Sequence, residues 1–389
     1  MSILDRYVLR SFLEPFFICF TGFIAIWLII DISDNFNDFL EAHAKFNQIL
    51  GYYGTQVPTA IMLSMPVGLL LGLLFSLSRM SRTNEIVSQL TAGRSVVRLL
   101  MPLILVGCAA TAFCLWLNWE RAPHAESIKK IAMNQIKRGK KAGDVEPIGA
   151  HLFRDRMNNR TWYVRKLIPP PPGGDPTLYQ LIGVHITQQD TDGRILKKWY
   201  GSSADYDVNT KCWKINRGMV VEFTPDGDIA EGFPEHFRHE SRIISDWSET
   251  PWRVASSEMN SSSMSVPELR DYLDFNSDFP QVQLAPYRAN LADRYALPFQ
   301  CLLAVFIAAP LGIVFNRRGA IGGVTGAIVL LVIMILSHYF FLTLGKGLRL
   351  NPNYSPWIPN AALFVVGLML LWYRSTNRDF PRFTLFFWR

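Results

Sequence analysis

Few residues in this chain are placed to do chemistry, and the clearest is one carboxylate on a short polar segment. Ser81 to Ser95 runs SRTNEIVSQLTAGRS. Thr83 offers a helix start, Glu85 an acidic first turn, Ile86, Val87 and Leu90 an apolar stripe, and Gly93 a stop. So short a helix is marginal alone, because nucleation costs more than its few hydrogen bonds return. It must lie on something, either the lipid interface or a groove in a partner. Glu85 suits the helix dipole in both settings. In a groove it would also accept charge-assisted hydrogen bonds from a cation. His338 is an isolated ionisable group in a late apolar run, while Glu14 sits at the end of an early one. A hydrogen-bonded packing residue is the expectation for His338, rather than a proton relay. The basic run Lys129, Lys130, Lys137, Arg138, Lys140 and Lys141 suits either an anionic ligand or a solvated helix face.

Other chemistries are missing. The chain has no G-x-x-x-x-G-K-[ST] phosphate loop, no H-E-x-x-H and no G-x-S-x-G. Of five cysteines, Cys19, Cys108, Cys114 and Cys301 fall in apolar runs, and Cys212 alone lies in the polar middle. That distribution argues against a disulfide framework and against zinc. Cys212 is expected to be a small buried apolar residue. The expectation is a chain that is not an enzyme and holds no metal or cofactor of its own.

The elements that position these residues follow from hydropathy. The chain has 389 residues, 49% of them hydrophobic, and a net charge of +7. Six stretches approach the roughly 20 apolar residues of a membrane helix: 12–30, 57–77, 99–119, 295–315, 321–344 and 357–372. The first is too long for a cleaved signal peptide and lacks a cleavage site. FNQILGYYGTQ, before Pro58, is amphipathic and suggests a broken lead-in to the second. Arg6 and Arg10, then Arg79, Arg82, Arg94 and Arg98, then Arg317 and Arg318, and finally Arg374, Arg378 and Arg382 flank alternate ends. The acidic DISDNFNDFLEAHAK lies opposite. The positive-inside rule therefore puts both termini and the Glu85 segment in the cytoplasm, and it accounts for the net charge without nucleic acid.

Everything between the third and fourth spans, 120–294, then lies outside. A helical lead, ESIKKIAMNQIKRGKK, precedes TWYVRKL, TLYQLIGVHITQ, KKWYGSSADYD, KCWKINRGMVVEF and HFRHESRII, which are strand-like and separated by turn signals. A sandwich or jelly roll is expected, followed by a short helix in SVPELRDYL. The predicted architecture is an α-helical membrane protein with six transmembrane helices (3+3) and an inserted all-β, jellyroll-like periplasmic domain. Residues 1–119 hold the first three spans and the cytoplasmic helix 81–95; residues 295–389 hold the last three and a tail. Gly68 with Gly72, Gly319 with Gly323 and Gly322 with Gly326 are spaced for close helix packing, within the chain or between chains. Pro66, Pro102, Pro298 and Pro310 are expected to break or kink their spans.

NEIVSQLTAGRS resembles the coupling helix of the lipopolysaccharide-export permeases. LDRYVLRSFLEPF is similar to that family's N-terminal lead, YALPFQCLLAVFIAAPLGIVFNRRG to its fourth span and following loop, and SPWIPNAALFVVGLMLL to its sixth span. SVPELRDYL looks like the segment that closes its outer domain. The resemblance implies a permease subunit of the bacterial inner membrane that pairs, F-type with G-type, around a lipopolysaccharide cavity. Partners would be the sister permease, a cytoplasmic ATPase dimer carrying ATP and Mg, and periplasmic jellyroll bridge proteins. Glu85, Ile86, Leu90, Ala92, Gly93 and Ser95 would dock on the ATPase. Ile29 and Phe36 of the first span, with Leu330 and Ile333 of the fifth, would line a lipid gate. The resemblance sets Asp31, Asn37 and Asp38 where G-type members often carry lysines past the first span, so the charge that meets the lipid phosphates would come from Lys45, from Lys129 and Lys130 of the basic run, or from the partner permease. LDRY leans towards the G-type. The competing expectation is a non-transporting membrane scaffold or sensor with a ligand-binding periplasmic β domain.

Overall fold

The computed structural model describes residues 3–93, 95–138, 149–168, 179–256, 260–277, 279–313 and 319–375. The chain divides into two compact units. One comprises Met1–Lys129, Ser265–Leu269 and Gln281–Arg389, and the other Lys130–Met264 and Arg270–Pro280. Helices α1 (Ile3–Glu41), α2 (Phe46–Arg82), α3 (Glu85–Thr91), α4 (Val96–Trp119) and α5 (Arg121–Arg138) come first. Strands β1 (His151–Asp155), β2 (Arg160–Ile168), β3 (Gln180–Gln189), β4 (Ile195–Asp207), β5 (Cys212–Glu222) and β6 (Glu235–Ile244) follow. Then come α6 (Pro251–Ser256), α7 (Val266–Phe275), α8 (Gln281–Ala296), α9 (Gln300–Gly312), α10 (Gly319–Lys346) and α11 (Trp357–Ser375).

Among the described residues, five helical stretches are long and apolar enough to cross a membrane: α1, α2, α4, Gln281–Gly312 and Thr325–Lys346. A shorter apolar helix, Trp357–Tyr373, is the sixth. Several outrun their apolar runs. At about 1.5 Å per residue, the 39 residues of α1 and the 37 of α2 extend well past a hydrocarbon core of about 30 Å. Backbone hydrogen bonding carries the helix on where hydropathy ends, so most of the acidic flank is the end of α1. The lead-in expected to break before Pro58 is continuous with the second span through Pro58 and Pro66. Pro102 and Pro310 likewise lie inside unbroken helices. Pro298 does interrupt its span, in a 3-10 turn, Leu297–Phe299, between α8 and α9.

The helical core forms around α2. Leu69, Leu70, Leu73, Leu74 and Leu77 pack with Leu100 and Leu103 of α4 and with Ala304, Ile307 and Ala308 of α9. By contrast, only 6% of the apolar window of α1 is buried, against 72% for α2. A Cβ at Gly72 would lie 2.7 Å from Phe16 Cα, and one at Gly68 would lie 3.1 Å from Phe20 Cβ. This G-x-x-x-G pair therefore brings α1 against α2 within the chain. Gly326 faces open space; the surroundings of Gly319, Gly322 and Gly323 lie outside the described residues. Cys114 and Cys301 meet between α4 and α9 with their sulfurs 3.7 Å apart, and all five cysteines are free.

The bundle has two polar ends. At one, Ser81 Oγ donates to Gly312 O at 3.5 Å, bringing together the ends of α2 and α9. Arg94, Arg317, Arg318, Arg378, Arg382 and the side chain of Arg374 lie outside the described residues. At the other end, Asn118 donates to Arg294 O and Asn360 to Ala296 O, each at 2.7 Å. His338 has a partner there. Its Nε2 lies 2.7 Å from Asp293 Oδ1 of α8, with the imidazole fully buried. Hydropathy places Asp293 outside the fourth span; α8, to which it belongs, leads into that span through the 3-10 turn.

The second unit holds the all-β insertion. Among the described residues its strands form one antiparallel sheet in sequence order, β1-β2-β3-β4-β5-β6, each paired with the next. Alternate residues point to one face, where Trp162, Val164, Ile186, Trp199, Trp213 and Ile215 form the core. Trp247, Val254 and Ala255, from the segment after β6, close it. Trp247 meets the rings of Trp162 and Trp199, both at 5.1 Å. Buried ion pairs pin this cover in place. Arg160 reaches Glu249 at 2.7 Å, and Arg253 reaches Asp155 at 3.3 Å. Cys212 is half-buried rather than buried, with its thiol donating to Thr210 O at the end of the β4–β5 hairpin.

Candidate functional site

The segment around Glu85 connects two long helices, and its local geometry decides which face it shows. α3 begins at Glu85 rather than at Thr83, because Asn84 takes a left-handed backbone (φ 60°) that redirects the chain. Thr83 closes α2 instead. Its hydroxyl lies 3.1 Å from Arg79 O and 2.9 Å from Glu85 Oε1. Gly93, at φ +86°, ends the helix as expected, in a conformation that suits glycine. Ser95 serves α4, accepting from Arg98 N at 3.3 Å as its N-cap.

The apolar stripe splits. Ile86 is buried in the helical core and Leu90 packs partly against it, whereas Val87 is exposed. α3 lies on α2. Its outward face consists of Val87, Ser88, Thr91, Ala92 and Gly93, small or polar except for Val87. A helix resting in the lipid interface turns its apolar side to the acyl chains. Here that side is used by the protein's own core. Glu85 sits at the edge of the outward face, and its Oε2 accepts from the hydroxyl of Tyr7, on α1, at 2.9 Å. Tyr7 is 78 residues away in sequence, which is why the local motif does not reveal it.

The remaining candidates are dispersed. Ile29 and Phe36 face outward from α1 and Ile333 from α10, while Leu330 is half-buried against the core. α2 packs on both α1 and α10. Lys45 is exposed at the N-cap of α2. The side chain of Lys130 lies outside the described residues, as do those of Lys137, Arg138, Lys140 and Lys141. Lys129 is paired within the chain. Its Nζ lies 2.6 Å from Asp31 Oδ1 and 5.7 Å from the centre of the Tyr52 ring. Burial alone would lower its pKa, but the hydrogen bond and charge of Asp31, with Tyr52, more than offset this and raise it. Asp31 thus replaces one expected cation and engages another.

A second pair holds the return to the membrane. Ser265 and Glu268 form a capping box on α7: Ser265 N donates to Glu268 Oε2 at 2.8 Å and Glu268 N to Ser265 Oγ at 3.4 Å. His124 of α5 lies 2.9 Å from the same Oε2. The hydrogen bond to Glu268 raises the His124 pKa against the effect of burial. Burial pushes Glu268 up, but the bonds from His124 and Ser265 outweigh it and lower its pKa. Nothing in SVPELRDYL alone points to His124.

A comparison with curated proteins returns no match. Among protein families, the model for the lipopolysaccharide export system permease LptF/LptG matches residues 6–373. That range takes in the sheet, α3 and nearly the whole of the six apolar helices described above. The protein is a multi-pass membrane chain with an antiparallel sheet domain, and it belongs to the LptF/LptG family of lipopolysaccharide export permeases.

Proposed function

We propose that the chain is the permease subunit of an ATP-driven exporter, drawing lipopolysaccharide from the bacterial inner membrane and passing it to a periplasmic jellyroll bridge. The observation that carries this reading is the orientation of α3. Its apolar side is committed to the protein's own core, and its outward side is Val87 with the small residues Ser88, Thr91, Ala92 and Gly93, edged by Glu85. That surface suits a protein groove better than a lipid interface. Because the chain has no phosphate loop, hydrolysis falls to a separate cytoplasmic ATPase that binds ATP and Mg. Glu85, Ala92 and Gly93 contact it, Ile86 and Leu90 hold the helix for it, and Ser95 fixes the exit of the chain. The arginine flanks support cytoplasmic termini and a periplasmic sheet. Ile29, Phe36 and Ile333 border the lipid entrance of a complex with the sister permease, and Lys45, exposed at the start of α2, is a cation for the lipid phosphates.

The test is to purify the complex with Glu85→Lys and measure retained ATPase and released lipopolysaccharide together. A charge-assisted hydrogen bond contributes about 1.5–3 kcal/mol, or roughly 10- to 100-fold in affinity. The variant should lose most of its ATPase and its lipid release while the two permeases still pair. Wild-type values for both would refute the docking role.

A further inference from the structure

The carboxylate assigned to docking is already occupied within the chain. Tyr7 donates to Glu85 Oε2 at 2.9 Å, and the Thr83 hydroxyl lies 2.9 Å from Oε1. A carboxylate oxygen accepts more than one hydrogen bond, so a cation can be added. A cation on the outward side of the carboxylate would pull Oε2 away from the Tyr7 hydroxyl.

Among the five long apolar helices of the described residues, Tyr7 sits on the one whose apolar window is least buried. α1 buries 6% of its apolar window, and its buried side chains are Val8, Phe12, Pro15, Phe16 and Phe39. Towards its other end, Asp31 is tied to Lys129 of α5 at 2.6 Å. α1 thus rests on the bundle along one narrow face, Val8, Phe12 and Phe16, with a polar anchor towards each end, and the first of those anchors is the residue that α3 offers to a partner. Ile29 and Phe36 ride on the same helix.

We propose that Tyr7 is the positioning residue that links the docking state of α3 to α1. A partner cation on Glu85 draws the carboxylate from the tyrosine and frees the near end of α1, while Asp31–Lys129 holds the far end as a pivot. This rests on the docking role of α3 proposed above. The hydroxyl is the active part. Tyr7 is 46% exposed, so Tyr7→Phe removes one bond and leaves the fold intact.

The experiment is hydrogen exchange on the purified complex, with and without its ATPase, for wild type and Tyr7→Phe, alongside lipid release per ATP hydrolysed. Docking should slow exchange across 85–91 in both proteins. In wild type it should also speed exchange across 7–14, on the first turns of α1. In Tyr7→Phe the 7–14 amides should exchange fast whether or not the ATPase is present, and lipid released per ATP should fall about threefold or more at unchanged ATPase retention. Protection of 85–91 with no response at 7–14 in wild type, or unchanged coupling in Tyr7→Phe, would overturn the link and leave the docking reading standing. No protection of 85–91 would overturn both.

Discussion

Arg160→Met tests whether the cover of the sheet is held by charge. Arg160 and Glu249 are 7% and 0% exposed and lie 2.7 Å apart. Two unit charges about 4 Å apart interact by about 4 kcal/mol at an effective dielectric of 20, and removing one partner of a buried pair typically costs about 3–5 kcal/mol. Methionine keeps most of the volume, so the loss is mainly that of the charge. Its pH dependence identifies the cause. Burial raises the Glu249 pKa above its ordinary 4.5 and the Arg160 charge opposes it; without the arginine it must rise further. A carboxyl with a raised folded-state pKa is neutral in both states at low pH. Its penalty is absent below the unfolded value, grows as pH rises above that value, and is complete once pH exceeds the folded one. The variant should therefore lose about 3–5 kcal/mol at pH 8 and much less near pH 4.5. Trp162, Trp213 and Trp247 cluster beside Glu249, so tryptophan fluorescence during denaturant unfolding reports the site. A loss below about 1 kcal/mol at pH 8, or an equal loss at both pH values, would refute the account.

Three further outcomes follow from features described above. Gly72→Val should weaken the seat of α1 by about 1–3 kcal/mol, because the clash is with Phe16 backbone rather than a movable side chain. Gly326→Ala, in open space, should be neutral or gain up to about 1 kcal/mol; detergent-solubilised melting curves distinguish the two. The His124–Glu268 pair should stabilise by no more than about 1 kcal/mol, given its partial exposure. The His124 share is present below the ordinary 6.5 and fades as pH rises through its raised pKa. The Glu268 share is present above 4.5 and fades as pH falls through its lowered pKa. His124→Ala should flatten the stability profile over that alkaline fall, and an unchanged profile would count against the pair. With native cysteines replaced, Ser202→Cys should react with an impermeant thiol reagent in spheroplasts and Ser88→Cys only after the membrane is opened; the reverse pattern would invert the topology.

Hydropathy made the spans legible because a bilayer demands long apolar runs, and aromatic alternation marked β2 to β6. What escaped was polar or distant. β1 is five residues, HLFRD, whose inward positions include His151 and Asp155. Those polar side chains are buried because Val254 O and Arg253 meet them about a hundred residues later. α8 looked like outer-domain sequence because Arg288, Asp293 and Arg294 dilute its hydropathy. At the candidate site, Ile86, Leu90 and Gly93 were legible from local spacing. Tyr7 and the Asp31–Lys129 pair were not, since pairs separated by 78 and 98 residues leave no mark in local periodicity.

The sequential order of the strands bears on how the sheet domain is made. Each strand needs only its immediate predecessor, so the sheet can grow strand by strand as the chain emerges. No early strand waits for a late one. The tryptophan face is different: Trp162 and Trp213 gain Trp247 and Glu249 only after all six strands are laid down. During synthesis the domain therefore passes through a stage with a formed sheet and an unsealed aromatic face. Variants that weaken the late-arriving cover prolong that stage, and their cost appears as aggregation during synthesis as well as lower equilibrium stability.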